Sequence, residues 1–298
     1  MEITQQQTIA VSAWKQKVTD YNQLVKTRLT FLVVLSAVIT YATASFSGGI
    51  NTIDLVILAV GGFLVTGAAN GINQIIEKNY DKLMVRTANR PVATNRMSNM
   101  EAALASSAMG VAGVIIIATY LNALAGFIAF VSLVLYAFIY TPMKRISPIS
   151  VFVGAFPGAL PVLIGYTAFS NQITYEALIL FGVQFFWQFP HFWSIAWILD
   201  DDYKRAGFKM LPTHDKDKTS ALITLAFTVC LLPIGLMPTF EGFSGITSGI
   251  IAIAGGLVLS YFAWRLYQTC DNKDAKRLMF ASFLYLPLVQ FAYLFDKI

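Results

Sequence analysis

Charge is scarce in this chain. Asp, Glu, Lys and Arg make up 12% of its 298 residues, while 56% are hydrophobic. Soluble domains carry about 25% charged residues, so an ordinary soluble globular protein is excluded and a bilayer is needed as solvent. Polar stretches long enough to form a second domain are also missing, which leaves a single membrane domain. Cysteine is nearly absent. Cys230 and Cys270 lie far apart without metal-ligand spacing, and both read as core or lipid-facing residues. The first 22 residues lack the apolar core and small-residue cleavage site of a signal peptide, and lack the Arg-rich character of a mitochondrial presequence. The expectation is a multi-pass protein of a bacterial inner (cytoplasmic) membrane. Trp14 with Lys15 and Lys17 suits an interfacial helix. Residues 1–28 therefore read as an N-terminal cytoplasmic or interfacial segment and 29–298 as the membrane domain.

What is present is a series of apolar runs. A membrane-spanning helix needs about 20 mainly apolar residues. Nine such runs occur, at 29–47, 52–76, 102–121, 123–141, 149–169, 177–199, 220–239, 246–269 and 279–295. The third and fourth are divided only by the weak turn Leu121-Asn122-Ala123, and Pro233 and Pro287 fall inside spans. A net charge of +5 resembles a nucleic-acid signal until the charges are mapped. Twenty of the 21 Lys and Arg residues fall on one side of an alternating nine-span topology, and only Lys297 falls on the other. The positive-inside rule then places the N-terminus in the cytoplasm and the C-terminus outside. The fold expected is an all-α polytopic bundle of nine transmembrane helices with no nucleic-acid partner.

The polar residues gather at one end of that bundle. Asn73, Glu77 and Asp81 are spaced four apart at the end of the second run, with Asn70 one turn earlier. On a helix they share one face. Oxygen ligands arrayed in this way suit a hard cation such as Mg²⁺, above all with a diphosphate supplying more oxygens. The same triplet is also what an ordinary solvated helix end looks like. Arg86 and Arg90 follow, two guanidiniums four apart that suit phosphate oxygens or simply set topology. A second acidic group, Asp200-Asp201-Asp202, follows the sixth run, and Lys144 and Arg145 follow the fourth. All lie on the same membrane face, where two acidic loops can converge on one cavity.

These residues resemble the UbiA-type intramembrane prenyltransferases, and within them the branch that farnesylates haem. The pattern N-x₃-[DE]-x₃-D appears as Asn73, Glu77 and Asp81, and continues into Arg86-Thr-x-Asn89-Arg90-Pro91. The second block is Pro190-His191-Phe192-Trp193, then Asp202-Tyr203-x-x-Ala206-Gly207 and Met210-Leu211-Pro212. Lys26-Thr-Arg28 and Gly158-Ala-Leu160-Pro161 also fit, so the resemblance covers nearly the whole chain. It implies transfer of a farnesyl group from farnesyl diphosphate to the 2-vinyl group of haem B, giving haem O for respiratory terminal oxidases. The implied metal ligands are Asn73, Glu77, Asp81, Asp201 and Asp202, holding Mg²⁺. Which aspartate of Asp200–Asp202 binds is open, with Asp202 fitting the pattern best. The implied diphosphate contacts are Arg86, Arg90 and Lys144. A haem substrate makes His191 a candidate axial ligand, set against a satisfied core histidine. Lys26, Arg28, Asn70 and Tyr203 are secondary positions. Implied partners are the lipid bilayer and haem A synthase or terminal-oxidase assembly proteins. Two other readings stand beside this one: a family member that prenylates a quinone precursor, and a haem transporter or oxidase assembly factor.

Overall fold

A computed structural model describes the backbone of residues 2–46 and 48–298, and the side chains from Trp14 onward apart from Ser47. Every long element is a helix, and side chains set where most begin. Asn51, Ser98, Asn122, Thr174, Asp217 and Asp271 each accept a hydrogen bond from a backbone N–H two or three residues on, satisfying donors that a helix start leaves orphaned.

The order is α1 (Glu2–Val25), α2 (Thr27–Ala44), α3 (Thr52–Ile76), a single turn α4 (Lys78–Asp81) and α5 (Asn99–Tyr120). Next comes α6 (Ala123–Val134), which runs through a π-helical stretch, Leu135–Tyr140, into the short α7 (Thr141–Met143). Then follow α8 (Ile149–Ser170), α9 (Tyr175–Ile198), the short α10 (Asp200–Arg205), α11 (Lys218–Phe240), α12 (Ile246–Thr269) and α13 (Asn272–Phe295). Lys26 breaks α1 from α2 in a left-handed conformation (φ 50°). The weak turn expected at 121–123 is a true boundary. Asn122 caps α6 and also donates to the carbonyls of Thr167 and Ala168 on α8 at 2.7 and 3.1 Å.

Eight helices are long and apolar enough to cross a membrane by length and composition. The expected run 177–199 coincides with α9, a 24-residue helix outside those eight. Its sequence is diluted by Gln184, Gln188, Pro190 and His191, all buried. The glutamine amides find partners inside the bundle, although the Gln188 side-chain oxygen has none among the described residues. Gln184 donates to the Gly158 carbonyl at 2.8 Å and accepts from Gln290 at 2.9 Å, and Gln290 accepts from Ser36 at 3.2 Å. Such bonds tie α8, α9, α13 and α2 together in a medium where packing alone drives association weakly. The last helix begins seven residues before its expected apolar run, because Asp271 caps it and the charged turn Lys273–Arg277 is helical too.

Sequence neighbours pack as pairs, α3 on α5 and α11 on α12 above all, while α2 lies against α3, α8 and α13. The close approaches are made by small residues. At Gly165 of α8 an added Cβ would overlap the Ala37 carbonyl of α2, so those two backbones lie in contact. The outward faces carry exposed Phe, Leu and Ile, as a lipid-facing bundle requires. Cys230 is exposed and Cys270, at φ 51°, ends α12.

Candidate active site

The polar residues singled out in the sequence meet at one end of the bundle, at the termini of α3, α7 and α9. Asn73 is buried on the last turn of α3. Its amide donates to Thr141 Oγ1 at 3.1 Å, and its carbonyl accepts from Lys26 Nζ at 3.1 Å. The helix does not run unbroken to Asp81. Glu77 stands at a junction (φ −88°, ψ 3°) between α3 and α4, and its carbonyl accepts both the Tyr80 and Asp81 amides at 2.8 Å. The turn tightens there, yet Glu77 and Asp81 remain buried beside Asn73.

The buried carboxylates of this end are paired with cations. Lys144 Nζ donates to Glu77 Oε1 at 2.9 Å. Arg90 Nη1 reaches both Asp81 oxygens at 2.8 Å. Arg205 pairs with Asp202, and Lys204 bridges Asp200 and Asp215 at 3.0 and 2.8 Å. Lys144 is further framed by the ring of Tyr140 at 4.6 Å and that of Phe208 at 5.9 Å. Burial alone would lower its pKa, but Glu77 and the two nearby tyrosines, Tyr140 and Tyr136, outweigh that and hold it above the ordinary lysine value. Burial also pushes the Asp81 carboxyl up, against the lowering pull of Arg90. Lys26 is shifted well down, by burial first and then by its neighbours Arg90 and Lys144.

The second acidic loop is joined to the first through backbone. The amides of Val85 and Arg86 each donate to the Asp202 carboxylate at 3.3 Å. Asp202 is thus the aspartate that faces the loop carrying Arg86 and Arg90. Asp201 is exposed, and Tyr203 is half-buried with its ring against Phe208. Arg28 and Arg86 line a cleft of about 730 Å³ together with Lys26 and Arg90, and no carboxylate lines it.

Among the described residues no three Asp, Glu, His or Cys side chains stand close enough to hold one ion. Of the expected carboxylate ligands, Glu77, Asp81 and Asp202 are instead paired one by one with Lys144, Arg90 and Arg205. The donor set is nevertheless all oxygen and fits Mg²⁺ in kind. Asn70 lies a turn deeper, where its amide donates to the Val25 carbonyl and Thr30 Oγ1, both at 3.2 Å. From there an apolar cavity of about 90 Å³ runs between α2, α3, α5, α6 and α8, with Leu58, Val65 and Ala69 along one wall and Tyr136 near its mouth. Along α3 it extends from Asn70 to Leu58, about 18 Å by the helical rise.

His191 is set apart from the carboxylates. It is buried on the side of α9 that meets α13, with Nδ1 2.9 Å from Ser282 Oγ and its ring stacked on Trp187. His214 is in an exposed turn at φ 73°. Sequence reasoning missed Thr141, which orients Asn73, and Thr87, whose hydroxyl holds the Asp81 carbonyl at 3.0 Å. Nothing in their spacing marks them, since each acts across a junction that the apolar pattern does not resolve.

The profile of the UbiA prenyltransferase family matches residues 32–284. A protein named protoheme IX farnesyltransferase from Cytophaga hutchinsonii is 47% identical over 279 residues, covering 93% of this chain and 97% of its own length. One of the same name from Christiangramia forsetii is 43% identical, covering 93% of each. Among solved structures, one described as digeranylgeranylglyceryl phosphate synthase superposes with a TM-score of 0.75 at 17% identity, covering 94% of this chain and 98% of that one. A UbiA homolog from Archaeoglobus fulgidus, described as bound to GPP and Mg²⁺, gives 0.63 at 15% identity, covering 92% and 99%.

Proposed function

We infer the activity of this chain from the fact that it belongs to the UbiA prenyltransferase family: it is a prenyltransferase that moves the farnesyl group of farnesyl diphosphate onto the 2-vinyl group of haem B, giving haem O. The observation that carries the site of this chemistry is the junction of the two acidic loops. Asp202 is held by the amides of Val85 and Arg86, in the loop that follows the buried residues Asn73, Glu77 and Asp81. An apolar cavity ends one turn from those residues; its lining and direction fit a polyisoprenoid tail with its diphosphate at the polar end, and at about 90 Å³ it must widen between the helices as a farnesyl chain enters.

The chain's own residues do the following work. Asn73, Glu77 and Asp81 on one side and Asp202 on the other would hold Mg²⁺ as two separate sets of oxygen ligands rather than one closed cage, with Asp201 at the rim. That a structural neighbour is described as bound to GPP and Mg²⁺ supports a metal-dependent prenyl transfer. When bound, the ion neutralises charge on the leaving diphosphate as a Lewis acid. Arg86, Arg90 and Lys144 supply preorganised positive charge toward the same oxygens, with Lys26 and Arg28 lining the cleft beside them. The ion pairs Lys144–Glu77 and Arg90–Asp81 keep that charge in place before substrate arrives. The C1–O bond breaks, diphosphate departs with the bonding pair, and the vinyl π-bond attacks the allylic carbon. Water adds to the resulting cation and releases a proton, leaving the hydroxyethylfarnesyl side chain. His191 contacts the haem iron as an axial ligand.

The membrane placement follows the charge pattern. α9 serves as the sixth of nine spans, residues 1–28 lie at the cytoplasmic surface, and the C-terminus is outside. The membrane is a bacterial inner membrane, and the product passes to haem A synthase or oxidase assembly proteins. Expression in a host that lacks haem O, followed by mass analysis of its extracted haems, tests the activity. Appearance of haem O supports it. Unchanged haem B, with a prenylated quinone precursor in its place, contradicts it.

A further inference from the structure

His191 and Ser282 lie 91 residues apart and meet across α9 and α13. The Ser282 hydroxyl has one proton, and it donates that proton to the Met279 carbonyl at 2.7 Å. A hydroxyl so committed can meet a second neighbour only as an acceptor. With the hydroxyl proton on the Met279 carbonyl, it is His191 Nδ1, 2.9 Å from the same oxygen, that carries the hydrogen of their contact. A neutral imidazole has one N–H, so Nε2 is left with its lone pair. No described residue hydrogen-bonds Nε2.

The ring is also fixed in plane. Trp187 stacks on it at 4.7 Å and 16°, and Phe283 meets it edge-on at 4.5 Å and 80°. Trp187 in turn donates its indole N–H to the Ser282 carbonyl at 2.7 Å. One residue of α13 thus anchors both aromatic partners of α9. Phe280, Phe283 and Leu284 on the same helix are exposed, so this seam borders the outer face of the bundle.

We propose that Ser282 is a positioning residue: it holds His191 in the Nδ1–H tautomer so that Nε2 offers its lone pair to the iron of the haem substrate. This rests on the reading of His191 as the haem ligand. Histidines that ligate metals usually donate their other ring N–H to an acceptor, which fixes tautomer and orientation. Here the acceptor is a serine hydroxyl whose own proton is occupied.

The test begins without haem. The chain has two histidines, so ¹⁵N-histidine labelling of the His214→Gln protein leaves His191 alone in the nitrogen spectrum. The spectrum of that protein in nanodiscs is expected to show a protonated Nδ1 and an unprotonated Nε2. Ser282→Ala should shift the tautomer toward Nε2–H, and Ser282→Thr, which restores a hydroxyl, should restore the spectrum. A protonated Nε2 in the parent, or an unchanged tautomer in Ser282→Ala, overturns the proposal. If Ser282→Ala fails to fold, the parent spectrum and that of Ser282→Thr still decide.

Haem titration then separates the two layers. Ser282→Ala should weaken haem binding about tenfold or more, the low end for loss of a ligand's supporting partner. It should keep its affinity for farnesyl S-thiolodiphosphate. If His191→Ala leaves the haem spectrum and affinity unchanged, the ligand reading fails even with the tautomer as expected. If Ser282→Ala inverts the tautomer yet binds haem as before, the positioning role fails while the ligand reading survives.

Discussion

Asp81 has no exposed surface and takes its only described cation from Arg90. Replacing it with Asn preserves volume and an acceptor for Arg90 but removes one charge from a hard-cation site. Asp81→Asn should insert and fold, yet lose at least about two orders of magnitude in kcat, in line with several kcal/mol of lost charge stabilisation. The same steady-state assay ranks the second loop. Asp202→Asn should be severe and Asp201→Asn mild, because only Asp202 is held against Val85 and Arg86. Equal effects at the two positions would remove that distinction. Arg90 contacts Asp81 through Nη1 alone, so a lysine can keep the ion pair but not the remaining donors of the fork. Arg90→Lys should raise KM for farnesyl diphosphate roughly tenfold, the size of one lost charge-assisted hydrogen bond of about 1.5 kcal/mol. An unchanged KM would assign Arg90 to holding Asp81 only. That Asn73, Glu77 and Asp81 would lie near one another was legible from their i, i+4 spacing, whereas Arg86 and Arg90 lie in turns where that spacing fixes no common face. The cations that pair with the acids were not legible. Lys144 reaches Glu77 across 67 residues of sequence, and no local pattern encodes that pairing.

At the scale of elements, eight of the helices that match apolar runs were readable because lipid demands about 20 apolar residues at a stretch. The ends were less so. Asp271 starts α13 within a charged segment that hydropathy passes over, and α9 carries glutamines that only the interior partners Gly158 and Gln290 explain. The kink at Glu77 was hidden by the regular spacing around it. Close helix contact makes a sharper claim. Gly165 has no room for a methyl against the Ala37 carbonyl, so Gly165→Ala must push α8 from α2. The expected cost is about 1–3 kcal/mol from overpacking, read as a lower unfolding midpoint in detergent. A midpoint equal to that of the parent would mean the two helices separate freely at this point.

At the scale of the whole molecule, the proposed nine-span topology puts 20 of the 21 Lys and Arg residues on one side and Lys297, paired with Glu176, on the other. A phosphatase fused after Ile298 should therefore be active and a fluorescent-protein fusion dark; the reverse would invert the bundle and move the acidic end outside. The central claim is that the acidic end cleaves farnesyl diphosphate and hands the farnesyl group to haem B. It is tested most directly by purified protein in lipid vesicles, supplied with both substrates and Mg²⁺, with released diphosphate and haem product counted together. The account predicts one diphosphate per haem O formed, and loss of both in Asp81→Asn. Diphosphate release without a farnesylated haem, or haem O formed at an undiminished rate by Asp81→Asn, would contradict it.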